Sequence, residues 1–295
     1  MLDFVNLEEK LPREVYKEHL PAKQMRLLQL QRTLRDARLG TLVVFEGWDA
    51  AGKGRVIRKL TEPLEPRGFE LEWVREPRSR HEPMPWMWRF WRSIPAHGAM
   101  TIYDHSWYWR ALVEKQEAAE SRKRRHPWLD ALRDIALFER LLVDERYLVV
   151  KFFLHIDRAE QRRRMAKLEK DPDWSWMVQQ MEPDRHSRYE EDAVLIEEML
   201  ERTEIPEAPW RIVAATDHRH AKMTVFDTLI EAFESALAKH GFEVPPRLVD
   251  QYLDSCNGEG DIDDNGESDN SESDNGEGDN GEDSGPSLAE SRSDG

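Results

Sequence analysis

A glycine-rich loop between an apolar run and a helical pattern constrains the fold of this chain most. The run TLVVFE at 41–46 is typical of a buried strand. Directly after it, Gly47, Gly52 and Lys53 have the spacing G-x-x-x-x-G-K. In such a loop, backbone N–H groups and the start of the next helix surround a phosphate, and the lysine ammonium meets a charged oxygen. The sequence therefore predicts a phosphate-binding loop.

The loop lacks the hydroxyl that usually reaches Mg²⁺, because Gly54 stands where a Ser or Thr normally follows the lysine. Mg²⁺ prefers hard oxygen ligands, commonly one or two carboxylates with phosphate oxygens and water. Asp49 lies inside the loop, and Asp104 ends a later apolar run, where ligand sites of parallel sheets open. We expect these two carboxylates to hold Mg²⁺. Two other uses stay open, Asp49 as a helix cap and Asp104 as a turn residue.

The rest of the chain alternates between strand and helix patterns. Apolar runs of strand length occur at 41–46, 69–74, 99–104, 147–156 and 210–215. Helical patterns occur at 13–38, 53–60, 87–93, 108–121, 129–144, 157–170, 186–203 and 222–240. Because right-handed crossovers place helices on both faces of a parallel sheet, we expect a three-layer α/β domain with five parallel strands.

The acidity of the chain is concentrated at its C-terminal end. Residues 254–295 hold 15 acidic residues and one basic residue, whereas the 253 residues before them hold 44 acidic and 42 basic residues. With almost nothing apolar to bury, 251–295 is predicted to be a disordered acidic tail after a catalytic domain at 1–250. The single cysteine, Cys256, excludes an internal disulfide. We expect a cytoplasmic protein that neither spans a membrane nor binds nucleic acid.

Short motifs then identify a family. In order they are EGWDAAGKG at 46–54, PRGF at 66–69, WRFW at 88–91, YDHSWYWR at 103–110, KFFLHID at 151–157, EQRRR at 160–164, KDP at 170–172 and EAPWRIV at 207–213. Together they resemble the family-2 polyphosphate kinases from about residue 10 to 240. WRFWRSIPAHG and the tryptophan of the first motif are most similar to the branch that contains polyphosphate:AMP phosphotransferases.

This resemblance implies Mg²⁺-dependent phosphoryl transfer between inorganic polyphosphate and a nucleotide, on a P-loop fold similar to thymidylate kinase with a helical lid. It also implies a homo-oligomer, dimer or tetramer. By motif match, Asp49 and Asp104 would bind the metal, and Lys53 would hold the transferred phosphate. The remaining residues assigned to catalysis are Arg110, Arg163 and Arg164. The residues assigned to phosphate binding are Gly47, Ala50, Ala51, Gly52, Lys53, Gly54, Arg75 and His105.

Some features leave alternatives open. His105 stands where the family usually has Arg, which removes a permanent donor fork and is expected to weaken turnover. A catalytically weakened, polyphosphate-binding member of the family is therefore one alternative. An ATP-dependent kinase or NTPase is the other, although it would normally carry Ser or Thr at position 54. The basic run at 121–127 is either a polyphosphate track or a solvated face. The preferred nucleotide and the direction of transfer are open as well.

Overall fold

Five parallel strands form a single sheet in the part of the chain that the structure describes. This computed structural model describes residues 1–74, 85–121, 128–172 and 188–246, with the backbone alone at 114 and 116–121. The strands are β1 (Thr41–Gly47), β2 (Phe69–Trp73), β3 (Met100–Asp104), β4 (Leu148–His155) and β5 (Trp210–Ala214). Their spatial order is β2-β3-β1-β4-β5, and each neighbouring pair is parallel. The predicted α/β fold class is confirmed.

Helices cover both faces of this sheet. They are α1 (Arg13–Asp36), α2 (Lys53–Thr61), α3 (Trp88–Arg92), α4 (Trp107–Ser121), α5 (Trp128–Asp144), α6 (Arg158–Lys170), α7 (Tyr189–Arg202) and α8 (His218–Lys239), with 3₁₀ turns at Leu2–Phe4 and Pro66–Gly68. Successive strand side chains point to opposite faces, and residues 42–45 of β1 are all fully buried. Both faces are therefore packed at the centre. At the edge, β2 leaves Leu71 and Trp73 about half exposed, at 52% and 51%.

The strand register aligns the ends of β1, β3 and β4. Phe45 lies opposite Asp104, and Gly47 lies opposite Leu154. The predicted phosphate loop and the predicted second motif therefore leave the sheet from the same edge. Gly47 has φ 141°, and a Cβ there would lie 2.4 Å from the carbonyl oxygen of Leu154, so a side chain at this position would clash with β4.

The predicted element bounds agree with the structure to within one or two residues for most elements. The largest difference concerns α8, which begins at His218 rather than at 222. The Asp217 carboxylate accepts hydrogen bonds of 2.8 Å from the backbone N–H groups of Arg219 and His220. This N-cap starts the helix one turn earlier than the apolar pattern indicates.

Several predictions concern residues outside the described ranges. They are Arg75, the basic run except for Ser121, the first two residues of the helix expected at 186–203, and the acidic tail with its boundary at 250. Over the ranges that are described, no helix is both long and apolar enough to cross a membrane.

Candidate active site

The first loop runs from the end of β1 to Lys53, which begins α2, and holds unusual backbone angles. Gly52 at the helix N-cap has φ 100°, and Ala50 has φ 60°. A non-glycine residue in the left-handed region is uncommon, and such residues concentrate at binding and catalytic sites. The loop is also tied to the sheet, because the Trp48 N–H donates to the Leu154 carbonyl at 3.2 Å.

Lys53 folds back over this loop. Its side chain is buried, and its ammonium donates to the carbonyl oxygens of Gly47 at 2.9 Å and Trp48 at 3.1 Å. The ammonium is therefore held inside the curve of the loop. A phosphate oxygen that enters this curve can replace one of these carbonyl acceptors, because the three N–H groups of an ammonium rotate together.

The two predicted metal ligands lie at the same edge of the sheet. Asp49 is in the loop and Asp104 is the last residue of β3, and both side chains are half-buried. This donor set fits Mg²⁺, which combines one or two protein carboxylates with phosphate oxygens and water. Among the described residues, no group of three or more His, Cys, Asp and Glu could hold a metal by itself.

A buried carboxylate that the motif analysis did not single out joins the two motifs. Glu46 is the last residue before Gly47. One of its carboxylate oxygens accepts hydrogen bonds from the backbone N–H of Ser106 at 2.8 Å, from the Ser106 hydroxyl at 2.7 Å and from the backbone N–H of Trp109 at 3.2 Å. Its other oxygen lies 3.1 Å from Nδ1 of His105. Burial raises the pKa of Glu46, but the hydrogen bonds from His105 and Ser106 and the charge of Lys53 outweigh burial and lower it. The sequence signal that could have identified Glu46 is an acidic residue at the end of an otherwise apolar run.

His105 therefore lies against Glu46. Its imidazole also packs on Trp109, with ring centroids 5.4 Å apart, and its φ is 60°. The ring lines a cavity of about 60 Å³ whose walls also include Asp49, Trp109 and, from α7, Asp192. His105 is thus beside the loop, and the structure shows a carboxylate as the partner of its Nδ1.

The predicted arginines differ in what they contact. Arg164 is buried, and its N–H groups donate to the carbonyls of Ala50 and Ala51 at 3.1 Å, to those of Ala215 and Thr216 at 2.8 Å, and to Glu160 at 2.5 Å. Since a guanidinium has five N–H groups, Arg164 uses all of them on protein acceptors and organises the first loop from outside.

Arg163 is mostly exposed and forms a two-point contact with Glu160, with both distances 2.8 Å. Hydrogen bonds from Arg163 are the largest cause that lowers the pKa of Glu160, to about 2. Arg110 lies one turn into α4, where its N–H donates to the Ser106 carbonyl at 3.2 Å. The register thus brings Asp49 and Lys53 to the same edge of the sheet as Asp104 and His105. Arg110 follows on α4, and Arg164 supports the loop.

Trp48 is covered by α7. Its indole stacks on Tyr189 at 4.0 Å between ring centroids, and its Nε1 donates to Nδ1 of His155 at 2.9 Å. Because an indole N–H can only donate, Nδ1 of His155 is the acceptor, and its neutral ring carries the proton on Nε2. Burial lowers the pKa of His155, which favours this neutral form. Neither contact was predicted, because the three residues are far apart in the sequence.

The aromatic residues of α3 differ in exposure. Phe90 is buried at 1% exposure, but Trp88 and Trp91 are exposed by 42% and 48%. A larger cavity, of about 320 Å³, opens at the opposite edge of the sheet beside Leu148 and Arg211, and its walls include none of the predicted site residues.

Comparison with known proteins gives the family. A model of the family described as polyphosphate kinase 2 matches residues 10–241, which is most of the chain. The chain belongs to the polyphosphate kinase 2 family. Its resemblance to this family, inferred above from the motifs, is confirmed.

The names of the relatives specify different nucleotides. A polyphosphate:AMP phosphotransferase of Pseudomonas aeruginosa is 37% identical over 81% of this chain and 48% of its own length. One of Pseudomonas syringae is 36% identical over 81% and 47%. The chain thus spans about half the length of these two relatives. A GDP-polyphosphate phosphotransferase of Mycobacterium tuberculosis is 30% identical over 81% of this chain and 80% of its own length.

Solved structures agree with the fold. A Pseudomonas aeruginosa crystal structure, assigned to polyphosphate kinase 2, has a TM-score of 0.73 and 38% identity over 81% of this chain and 50% of that chain. Polyphosphate kinase 2 of Arthrobacter aurescens has a TM-score of 0.74 over 87% of this chain and 91% of that chain. At 22% identity, the second likeness shows the fold alone.

Proposed function

We propose that the protein transfers a phosphoryl group between inorganic polyphosphate and a nucleotide, with a nucleoside mono- or diphosphate as acceptor. One observation carries the proposal. This chain belongs to the polyphosphate kinase 2 family, and its strands β1 and β3 are paired neighbours. The loop with Asp49 and Lys53 therefore opens beside the segment that begins at Asp104. A phosphate held by the loop would therefore lie next to carboxylates from both motifs.

The identities favour AMP as the first acceptor to test. The two relatives named polyphosphate:AMP phosphotransferases are 37% and 36% identical to this chain, whereas those named for GDP, NDP and ADP here are 29–34% identical. We propose that AMP is phosphorylated faster than ADP or GDP.

Mg²⁺ would be held by Asp49 and Asp104 and would neutralise part of the charge on the phosphate oxygens when bound. The protein's own share of the work is positioning and positive charge, because phosphoryl transfer needs little covalent chemistry from side chains. The loop from Gly47 to Gly54, including Ala50, Ala51 and Gly52, would offer backbone N–H groups at the start of α2. Lys53 would stabilise the charge on the transferred phosphate.

The arginines would divide this work. Arg110 and Arg163 would contact the phosphates of the two substrates, together with His105 and Arg75. Arg164 supports the loop through its contacts with the Ala50 and Ala51 carbonyls. We therefore propose that Arg164, which was predicted to be catalytic, acts by positioning the loop.

An ATP-dependent kinase is the second candidate, and position 54 separates the two. A Cβ added at Gly54 would have nothing within 4 Å, so the site has room for the missing hydroxyl, and sterics do not require the glycine. A chain that uses two carboxylates for its metal has no need of a hydroxyl there. We therefore expect Gly54→Ser to leave polyphosphate-dependent activity within about 10-fold of the wild type.

The test is direct. Purified protein, Mg²⁺ and long-chain polyphosphate are incubated with AMP, ADP, GMP or GDP, and the nucleotide with one more phosphate is quantified. A parallel series replaces polyphosphate with ATP. Formation of ADP from AMP and polyphosphate supports the proposal. Activity with ATP but none with polyphosphate would support the second candidate, and activity with neither would support the weakened family member.

Three related expectations stay predictions. They are the assembly into a dimer or tetramer, the cytoplasmic location, and the division into a catalytic domain at 1–250 and an acidic tail at 251–295. Sedimentation of the full chain and of a chain shortened at 250 would check the first and the last.

A further inference from the structure

A buried ion pair between α5 and β4 has no part in the proposed chemistry. Glu139 on α5 and Lys151 on β4 are both fully buried, and their Oε2 and Nζ atoms are 2.8 Å apart. Lys151 also donates to the hydroxyl of Tyr108 at 3.2 Å and to the carbonyl of Thr203 at 2.8 Å. The three N–H groups of the ammonium thus have three acceptors.

The second oxygen of this carboxylate contacts the helix that follows the second motif. Glu139 Oε1 accepts from the hydroxyl of Tyr108 at 2.6 Å and from Nε1 of Trp107 at 3.1 Å. Both residues lie in the first turn of α4, and both are fully buried. The turn that follows Asp104 is therefore fixed from the core side by two hydrogen bonds of defined direction.

The same turn is also fixed from the side of the active site. Glu46 accepts from the backbone N–H groups of Ser106 and Trp109. Two buried carboxylates thus hold opposite sides of the first turn of α4, one from β1 and one from α5. His105, two residues before α4, keeps its left-handed φ of 60°, a conformation that persists where the surroundings determine the backbone.

Stability alone does not account for such a pair. A buried ion pair can often be replaced by apolar residues of similar volume without loss of stability, because both charges lose their hydration. Hydrogen bonds to Tyr108 and Trp107, by contrast, define the rotation and height of α4 relative to β4. An apolar replacement would fill the space but would not specify that position.

We propose that Glu139 and Lys151 are positioning residues for the second motif, which set the placement of Asp104 and Arg110 at the edge of the sheet. This inference rests on the proposed function for the roles of Asp104 and Arg110. The pair acts through Trp107 and Tyr108, whose side chains donate to Glu139.

The main variant replaces both charged residues by apolar ones, as Glu139→Leu with Lys151→Met, so that no buried charge is left without a partner and the acceptor for Trp107 and Tyr108 is removed. We expect it to stay folded, to lower kcat by about 10- to 100-fold with little change in KM for nucleotide, and to need more Mg²⁺ for half-maximal rate, as when the support of a metal ligand is lost. Tyr108→Phe, which removes one hydroxyl, should shift the same two quantities in the same direction by a smaller factor.

A second ion pair serves as the matched control. Arg26 on α1 and Glu234 on α8 are 2.7 Å apart, and Arg26 also contacts Gln29 and the carbonyls of Pro245 and Pro246. Arg26→Met with Glu234→Gln should alter stability but leave kcat and the Mg²⁺ requirement unchanged.

Outcomes separate the inference from the proposed function. If the wild type phosphorylates no nucleotide from polyphosphate, the proposed function fails, and Mg²⁺-dependent binding of pyrophosphate by calorimetry decides the inference instead. There we expect at least about 10-fold weaker binding for the Glu139/Lys151 double variant, and no change for the control. Wild-type kcat and Mg²⁺ requirement, or wild-type binding, in both the double variant and Tyr108→Phe would overturn the inference. Should the double variant not fold, Tyr108→Phe decides alone.

Discussion

Glu46 and Glu139 are two buried carboxylates that hold the same turn of α4, yet their surroundings shift their pKa values in opposite directions. At Glu46, burial raises the pKa, but donors from His105 and Ser106 outweigh it and the pKa is lowered. At Glu139, burial outweighs the charge and hydrogen bond of Lys151, and the pKa is raised. The number and kind of hydrogen-bond donors and the depth of burial thus decide the direction, not burial by itself.

The difference matches the position of each group. Glu46 lies beside the loop and near the charge of Lys53, which its negative charge partly balances. Glu139 is fully buried between α5 and β4, where its directional hydrogen bonds matter more than its charge. We expect changes at Glu46 to act on both chemistry and stability. A change at Glu139 should lower stability most when Lys151 is left unchanged.

The largest expected effect is a loss of stability when Glu139 is replaced. Glu139→Gln alone leaves Lys151 buried without a counter-ion, which should cost about 3–5 kcal/mol in the free energy of unfolding. Adding Lys151→Met should recover most of that loss. Urea unfolding of the two variants measures the difference, and equal stability of the single and double variants would show that the two groups are not coupled as an ion pair.

The next effect concerns the two half-buried carboxylates at the edge of the sheet, which differ from both Glu46 and Glu139. Asp49→Asn and Asp104→Asn should each lower turnover by at least ~100-fold, or about 2.7 kcal/mol of transition-state stabilisation, with an unchanged melting temperature. Asp144→Asn, on the exposed end of α5, is the matched control. Near-normal activity of either variant at saturating Mg²⁺ would exclude that residue as a metal ligand.

Glu46→Gln tests the carboxylate beside the loop. The amide keeps an oxygen for the N–H groups of Ser106 and Trp109 but loses the charge, which should cost about 1.5–3 kcal/mol of stability together with activity. Thermal unfolding and turnover, measured on one preparation, should both fall. A drop in stability with unchanged turnover would show that Glu46 only caps α4.

The pH dependence should sharpen the contrast between the two carboxylates. A lowered pKa means that the contribution of Glu46 to stability is complete above the ordinary value of 4.5 and is lost as pH falls through the lower folded-state value. For Glu139 the sign is reversed, so its contribution is complete below 4.5 and is lost as pH rises through the raised value. The stability difference between wild type and Glu46→Gln should therefore shrink in acid, and a difference that grows there would contradict the assignment.

His105→Arg should have the smallest effect. An arginine can keep a hydrogen bond to Glu46 and add permanent donors toward phosphate, but His tolerates the left-handed φ of 60° better than Arg does. We expect turnover to rise by less than about 10-fold, which corresponds to under about 1.4 kcal/mol. Slower turnover of the variant at saturating substrate would show that backbone strain outweighs the added donors.

Much of the fold was predictable because it depends on local patterns. Five short apolar runs separated by helical patterns predicted the five strands, and β3, for example, begins one residue later than expected and ends at the same Asp104. The spacing from Gly47 to Lys53 predicted a loop between β1 and α2, since Gly47 and Gly52 adopt the positive φ values that such a turn into a helix requires. The start of α8 was missed, because Asp217 as N-cap outweighed the apolar pattern.

The sequence by itself determined the fold class, the glycine-rich loop between β1 and α2, and the family, because each is encoded by neighbouring residues or by motifs in a set order. Only the tertiary structure decided the partners. Lys151 meets Glu139 across 12 residues, and Trp48 meets His155 across 107. Likewise, Arg164 of the EQRRR motif donates to Ala50 across 114 residues, a partner that the motif itself does not specify. Strand register and helix packing bring such groups together, and whether a buried charge then gains donors or only loses water depends on atoms that no local pattern specifies.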